Sequence, residues 1–124
     1  MIKGIGTDII AVDRLRRVLI RTPNFRERVF TPGEIGYCEA KADPAQSFAA
    51  CFAAKEAVMK AFGTGWSEEV HWQGISIDHD IAGKPLVVLT GSTMALFSAL
   101  GCSAIHISIS HEKDYAIAFA VLEA

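Results

Sequence analysis

The sequence predicts an α+β fold, in which a long central helix packs on antiparallel β-hairpins. Residues 47–62 are mostly small or apolar, which is typical of a helix buried nearly all round. Residues 75–91 and 104–123 each carry β-branched residues on both sides of a turn signal, which is typical of hairpins. The 124 residues, 51% of them hydrophobic, suffice for one core, so residues 1–124 are expected to form a compact single domain.

The N-terminal elements follow from local patterns. Residues 2–10, IKGIGTDII, predict a short apolar strand. Apolar residues at helical spacing predict a helix from Asp13 to about Leu19, and Pro23 is expected to end it because the residue before a proline is pushed out of the helical region. Pro32 is placed to begin a further helical turn, and residues 41–46 predict a loop.

The remaining elements are ordered around the central helix. Gly63 and Gly65 are stop signals that end this helix. After the first hairpin, STMALFSALG predicts a second helix with Ser92 as its N-cap and Gly101 at its end. In the last hairpin the return strand alternates large residues with alanines, and an alanine face would let a helix approach closely.

Composition excludes several classes of protein. The formal net charge of −2 argues against a general nucleic-acid binder. Three cysteines without CxxC spacing suit reduced thiols in a cytoplasmic protein better than a disulfide framework or a zinc site. Residues 1–10 include an aspartate and two glycines, so no export signal is predicted. Glycines and serines interrupt the charge-free run 85–111, which is therefore not expected to enter a membrane.

The arginines are concentrated in one segment. All six lie in residues 14–28, where the only acidic residue is Glu27: Arg14, Arg16, Arg17, Arg21, Arg26 and Arg28. Those at 14, 17 and 21 share one helix face because they are three and four residues apart. The segment is therefore a local basic patch.

Three charges interrupt the central helix. Glu56 and Lys60 are four residues apart on one stripe, and Lys55 lies on a neighbouring stripe. An exposed ion pair would explain them, but the small and apolar flanks favour a stripe that faces an inner cleft. Asp8, after a Gly-x-Gly turn, supplies a second carboxylate. Two carboxylates beside a lysine are suited to a magnesium ion shared with a diphosphate.

The histidines differ in what they predict. His106 and His111 are five residues apart, so a regular strand sends them to opposite faces and a shared metal is not expected. His111 closes its strand beside a turn and is either a surface histidine or a functional one. The sequence DHD at 78–80 is interpreted as a solvated hairpin tip, and His71 receives no role.

Four motifs together resemble one family. They are GIGTDI at the start, FAAKEAVMKAFGTG in the middle, GKP at 83–85 and SISHEKDYAIAFAVLE at the end. This combination resembles the holo-[acyl-carrier-protein] synthase family, the small bacterial class of 4′-phosphopantetheinyl transferases, over essentially the whole chain. The resemblance implies a homotrimer with sites between protomers. It also implies magnesium-dependent transfer of 4′-phosphopantetheine from coenzyme A to apo acyl-carrier protein for fatty-acid biosynthesis.

The resemblance also implies roles for individual residues. Asp8 and Glu56 look like the magnesium ligands, Lys60 like the cation on the coenzyme A diphosphate, and His111 like a phosphate contact. The nucleophile is then a serine hydroxyl of the carrier protein. Its proton goes either to Glu56 or to a metal-bound water, and the sequence leaves both open.

The nucleotide end of coenzyme A has its own expected contacts. Lys84 and Pro85 match a loop near the adenosine in this family. Many relatives carry an arginine near the nucleotide phosphates where this chain has Cys51. Losing that fixed cation predicts weaker binding of the 3′-phosphate unless Lys41 or Lys55 compensates.

The family docks its acidic carrier partner on residues that correspond to Arg14, Arg17, Arg21, Phe25 and Arg28. Two other functions stay open. One is a non-catalytic module that binds carrier protein or nucleotide. The other is a transferase for carrier domains of polyketide or peptide synthesis, although such enzymes are usually about twice this length.

Overall fold

The computed structural model describes residues 1–65 and 67–124. Its elements, in chain order, are β1 (Ile2–Ala11), α1 (Val12–Arg21), α2 (Phe25–Val29), α3 (Pro32–Glu39), α4 (Pro44–Phe62), a 3₁₀ turn (Trp72–Gly74), β2 (Ile75–His79), β3 (Pro85–Leu89), α5 (Gly91–Ala99), β4 (Ala104–His111) and β5 (Tyr115–Glu123). Among the helices of the described residues, none has the length and apolar character needed to cross a membrane.

A three-stranded antiparallel sheet supports the central helix. The strand order is β1–β5–β4, and Asp8 of β1 stands opposite Ala118 of β5. Ala116, Ala118 and Ala120 are buried on the face that packs against α4, whereas Ile117 and Phe119 are exposed on the other face. The expected alanine face is therefore confirmed.

Strand β1 and helix α4 make their closest approach at two glycines. A Cβ atom built on Gly6 would lie 2.0 Å from the carbonyl oxygen of Ala57, and one built on Gly4 would lie 2.0 Å from that of Ala61. Only a residue without a side chain fits at such a distance. Because side chains two residues apart share a face of a strand, Asp8 points toward the same helix.

The second sheet is the predicted hairpin β2–β3, with Ile77 paired to Val87. Gly4 and Gly6 lie inside strand β1 rather than in the expected Gly-x-Gly turn, and three further details differ from the sequence expectations. Helix α4 begins at Pro44 rather than 47, because Pro44 occupies the first helical turn. Helix α2 was not expected. The N-cap of α5 is Thr90, because the Ser92 hydroxyl instead donates a hydrogen bond to the carbonyl of Glu69.

The helix ends follow the glycine signals. Gly63 caps α4 with φ +80°, and Gly101 follows α5 with φ +76°. Both lie in the left-handed region that glycine adopts without strain. These ends, and the strands that enclose α4, fix the directions in which the charged residues of α4 point.

Candidate active site

One cleft collects the predicted carboxylates. The carboxylate cleft, about 320 Å³, is lined by Asp8 of β1 together with Glu56 and Lys60 of α4. The Lys60 ammonium donates hydrogen bonds to Asp8 Oδ1 at 3.1 Å and to the carbonyl of Thr7 at 3.0 Å. The close approach of β1 to α4 therefore brings together side chains that are about fifty residues apart in the chain.

Glu56 is half-buried in this cleft, and its environment disfavours its charge. Burial, followed by the negative charge of Asp8, raises the pKa of Glu56, and the positive charge of Lys60 opposes this rise only in part. The two carboxylates therefore lie close enough to repel each other. A cation placed between them would relieve that repulsion.

The chain offers such a cation only part of its coordination. Among the described residues, no three His, Cys, Asp or Glu side chains form a group that could hold a metal. A hard cation in the carboxylate cleft would therefore take Asp8 and Glu56 from the protein, and its other ligands from water or a bound phosphate. Mg²⁺ is commonly held in this way, by one or two carboxylates and a substrate phosphate.

His111 lies in a different cavity. The histidine cavity, about 180 Å³, is walled by α3, α4, the β2–β3 hairpin and the end of β4. His111, Pro85 and Cys51 line it, and none of its lining residues lines the carboxylate cleft. Cys51 and Lys60 point in opposite directions from α4, about 180° apart around the helix axis. Within one chain, the predicted site residues thus form two groups.

The rim of the histidine cavity is aromatic. Tyr37 stacks on His79 with ring centroids 3.9 Å apart, and the Lys41 ammonium lies 4.4 Å from the centre of the Tyr37 ring. Burial, followed by the charge of Lys41, lowers the pKa of His79. Asp78 and Asp80 are exposed, as the solvated interpretation of DHD expects, whereas His79 is half-buried because its ring packs on a helix that sequence reasoning did not connect to the hairpin.

Lys84 and Pro85 of the GKP motif are positioned by a tight turn. The backbone N–H of Lys84 donates to Asp80 Oδ1 at 2.8 Å, and the Lys84 side chain is exposed. Pro85 begins β3 and contributes to the wall of the histidine cavity. Lys41, Lys84 and Pro85 therefore lie on or beside one cavity, as contacts for one end of a ligand would.

The structure contradicts the role predicted for Lys55. Its side chain is 0% exposed, and its ammonium donates to Glu34 Oε1 at 2.7 Å and to the carbonyl of Val29 at 2.8 Å. The prediction that Lys55 binds coenzyme A is wrong, because all approach to its charge is blocked. It does not replace the arginine that Cys51 displaces, and burial raises the pKa of the Cys51 thiol, which stays uncharged.

The arginine segment is exposed beside the carboxylate cleft. Arg16 is paired with Asp43 at 3.0 and 3.1 Å. In the described part of the chain, by contrast, no ion pair engages the exposed arginines of the predicted docking set: Arg14, Arg17, Arg21 and Arg28. Arg14 and the half-buried Phe25 also line the cleft. The unpaired positive charge therefore borders the carboxylates directly.

Comparison with known proteins identifies the family of this chain. The family model of the 4′-phosphopantetheinyl transferase superfamily matches residues 4–120. The chain belongs to this superfamily. A holo-[acyl-carrier-protein] synthase of Ruminiclostridium cellulolyticum is 48% identical over 120 residues, which cover 95% of this chain and 90% of the relative.

Solved structures place the superfamily fold on the whole chain. The crystal structure of holo-[acyl-carrier-protein] synthase from Neisseria meningitidis superimposes with a TM-score of 0.91 at 37% identity and covers 100% of both chains. A holo-(acyl-carrier-protein) synthase from Bacillus anthracis, in complex with CoA (3′,5′-ADP), has a TM-score of 0.84 at 36% identity and covers 100% of this chain and 98% of its own. The 4′-phosphopantetheinyl transferase fold is thus shared at full length.

Sequence reasoning missed part of the histidine cavity. Glu34, Tyr37 and His79 line it, although none was a candidate. A signal for Glu34 was present, since Thr-Pro-Gly-Glu at 31–34 is a capping-box pattern, and the structure contains that box. Nothing in the local sequence indicated that Tyr37 meets His79, because the two belong to different elements.

Proposed function

We propose that this chain, acting as a single domain over residues 1–124, transfers 4′-phosphopantetheine from coenzyme A to a serine hydroxyl of apo acyl-carrier protein. The reaction releases adenosine 3′,5′-bisphosphate and supplies holo carrier protein for fatty-acid biosynthesis in the cytoplasm. The observation that carries the proposal is the meeting of Asp8, Glu56 and Lys60 in one cleft of a superfamily member. Relatives named as holo-[acyl-carrier-protein] synthases, some with bound coenzyme A, support it.

Magnesium fits the carboxylate cleft. The two carboxylates repel each other, and together they offer the oxygen ligands that this ion prefers. When bound, Mg²⁺ supplies positive charge at the diphosphate, where negative charge develops as the bridging bond breaks. Asp8 and Glu56 would hold the ion, and Lys60 would turn from Asp8 to the diphosphate oxygens and stabilise the leaving group.

Glu56 is the chain's candidate for the proton acceptor. Its carboxylate lies in the cleft where the serine oxygen would attack phosphorus, and a general base must lie within hydrogen-bond reach of the proton that it takes, directly or through one water. Glu56 would take the proton of the carrier serine, directly or through one water, as that oxygen attacks phosphorus.

The nucleotide end of coenzyme A belongs in the histidine cavity. His111 and Lys41 offer positive or hydrogen-bonding groups for phosphate, and Pro85 with the Tyr37–His79 stack offers a flat apolar surface. Cys51 supplies no charge there. We expect Lys41 at the rim to be the main cation for the 3′-phosphate.

A homotrimer with sites between protomers would reunite the two cavities. They lie on opposite sides of α4 in one chain, whereas a single coenzyme A must reach both. The outer face of the three-stranded sheet exposes a contiguous group of large apolar residues: Ile5, Ile9, Tyr115, Ile117 and Phe119. Faces of this kind mark protein interfaces. Lys60 also lines an open depression with Ile5 and Phe119, so the cleft borders this face.

Mixing two inactive variants tests the shared site. Glu56→Gln lacks the cleft carboxylate and His111→Ala lacks the cavity histidine, so each alone should transfer slowly. After unfolding and refolding together in equal amounts, about a quarter of the sites should combine an intact Glu56 with an intact His111 from the neighbouring chain. Recovered transfer supports sites between protomers. Activity no higher than the sum of the separate variants contradicts them.

The basic surface gives the proposed carrier protein a place to dock. Arg14 and Arg21 are exposed and have no ion-pair partner among the described residues, and Arg14 lines the cleft that would receive the serine. Complementary charge mainly raises the rate of encounter with an acidic protein. The surface would therefore deliver the carrier to the cleft without contributing to the chemical step.

Mass spectrometry tests the proposed reaction. The purified protein is incubated with apo carrier protein, coenzyme A and Mg²⁺, and the carrier is weighed. The expected product is heavier by one phosphopantetheine group. Glu56→Gln should slow transfer by at least about 100-fold, whereas Glu68→Gln, the same change on an exposed side chain outside both cavities, should not. An unmodified carrier with the parent protein, or equal rates for both variants, would overturn the proposal.

A further inference from the structure

A second charged pair lies in the core, apart from the carboxylate cleft. The side chains of Lys55 and Glu34 are both 0% exposed and meet at 2.7 Å between the ammonium and Oε1. Neither was given a part in the proposed reaction. An ion pair taken out of water seldom adds stability over apolar residues of the same volume, so stability alone does not explain it.

The pair is the meeting point of four elements. Glu34 Oε1 accepts from the Thr31 N–H of the α3 cap at 2.8 Å and from Lys55 of α4. Glu34 Oε2 accepts from the Ile77 N–H of β2 at 2.7 Å. Lys55 also donates to the carbonyl of Val29 at the end of α2. Both carboxylate oxygens are therefore used, in fixed directions, by different parts of the chain.

Three of those elements are walls of the histidine cavity. Helix α3 contributes Tyr37 and Cys38, helix α4 contributes Cys51, and the β2–β3 hairpin contributes His79 and Pro85. Glu34 itself lies at the cavity, where these walls join. A change in the length or direction of its hydrogen bonds would move one wall relative to the others.

We propose that Glu34 and Lys55 are positioning residues that hold the walls of the histidine cavity at the spacing required by the nucleotide end of coenzyme A. This inference rests on the proposed function. It assigns the pair no contact with substrate. It predicts that removal of the pair weakens nucleotide binding, while the chemical step and carrier docking, which use the other side of α4, are preserved.

The double variant Glu34→Gln with Lys55→Met tests the proposal. Each single change would leave one unpaired charge in the core and risk unfolding, whereas the double change leaves a neutral site of similar volume. It should keep a cooperative thermal transition. The dissociation constant for adenosine 3′,5′-bisphosphate, measured by calorimetry, and the KM for coenzyme A should both rise on the order of tenfold. The kcat and the KM for carrier protein should change by less than about threefold.

Two further variants complete the design. Glu34→Asp keeps both charges but shortens the carboxylate by one methylene, so it cannot reach Lys55 and the Ile77 N–H together. Like the double variant, Glu34→Asp should raise the dissociation constant for adenosine 3′,5′-bisphosphate. If the double variant does not fold, the measurement on Glu34→Asp decides the test. Arg16→Met removes an exposed ion pair with Asp43 and should leave nucleotide binding unchanged.

The outcomes separate this inference from the proposed function. Parent-like binding of adenosine 3′,5′-bisphosphate by a folded double variant, or by Glu34→Asp where the double variant is unfolded, overturns the positioning role. An equal rise in the KM for carrier protein also overturns it, since that indicates general loosening. A parent protein that binds the nucleotide but transfers nothing contradicts the proposed reaction, and the calorimetric comparison still decides the role of the pair.

Discussion

Replacing Gly6 with alanine tests whether the contact between β1 and α4 builds the carboxylate cleft. The added Cβ would lie 2.0 Å from the Ala57 carbonyl oxygen and 2.7 Å from the Ala61 nitrogen. Cβ atoms essentially never approach other atoms closer than 3.0 Å, so strand and helix must separate by at least about 1 Å. Both obstructing atoms belong to the backbone, and no side-chain rotation can relieve the clash.

The expected effects of Gly6→Ala follow from that displacement. Overpacking of this kind costs about 3 kcal/mol, which for a domain of this size lowers Tm by about 10 °C. Asp8 is two residues further along the same strand face, so it moves away from Lys60 and Glu56. A misplacement of 1 Å can reduce turnover by about 100-fold, even in the folded protein.

Thermal unfolding followed by circular dichroism gives the stability, and transfer is measured well below the Tm of the variant. Gly36→Ala is the matched control, because its Cβ would meet nothing within 4 Å inside helix α3. Alanine there should add about 0.5–1 kcal/mol of stability. A Gly6→Ala protein with parental Tm and activity would refute the argument that the close approach requires a glycine.

Four shorter predictions concern the electrostatics of Glu56, the docking surface and the outer face of the sheet. The pKa of Glu56 is raised in the folded protein, so its negative charge opposes folding once the pH exceeds the ordinary pKa of glutamate. Metal-free Glu56→Gln should therefore have a higher Tm than the parent at neutral pH. An unchanged Tm would contradict the unfavourable burial of this charge. Mg²⁺ binds only the ionised carboxylate, so the Mg²⁺ affinity of the parent, measured by calorimetry, should fall as the pH is lowered toward the raised pKa of Glu56. An affinity that does not change with pH would exclude Glu56 as a ligand. Arg21→Glu should raise the KM for carrier protein about tenfold at low salt and leave that for coenzyme A nearly unchanged, whereas equal effects would place Arg21 elsewhere. Phe119→Asp should dissociate the proposed trimer into monomers, as measured by light scattering, and should abolish transfer. A parent protein that is itself monomeric would disprove the shared site.

Elements with strong local signals were predictable from the sequence. Alternation in the hairpins, proline and glycine at helix ends, and the apolar length of α4 each depend on neighbouring residues, and the structure confirms them. The start of α4 was placed three residues late because a loop-like composition hid Pro44 as a first-turn residue. Ser92 was a plausible cap by type, but its hydroxyl has a partner in a distant loop.

Contacts between distant residues set the limit of prediction. Asp8, Glu56 and Lys60 could be proposed together because each stands in a distinctive local motif. From the sequence, Lys55 looked equally able to contact a ligand. Its charge is instead buried and paired with Glu34, a residue 21 positions away that only the tertiary fold brings into contact. Electrostatic partners found through tertiary packing leave no trace in the spacing of a single sequence.

The division of the site into two cavities was also beyond the sequence. The order of motifs along a chain does not show which side of the central helix each strand or loop packs against. It therefore does not show which site residues share a cavity. His111 and Lys60 were both assigned to phosphate, yet they lie in different cavities of one chain. This separation is the structural reason for proposing that neighbouring chains complete each other.

The position of the cation tests the central claim most directly. A crystal grown with coenzyme A and Mn²⁺ in place of Mg²⁺ can locate the metal by its anomalous scattering. We expect one metal within about 2.3 Å of an oxygen from Asp8 and an oxygen from Glu56, beside the diphosphate of coenzyme A. A metal bound away from these two carboxylates, while coenzyme A occupies the protein, would contradict it.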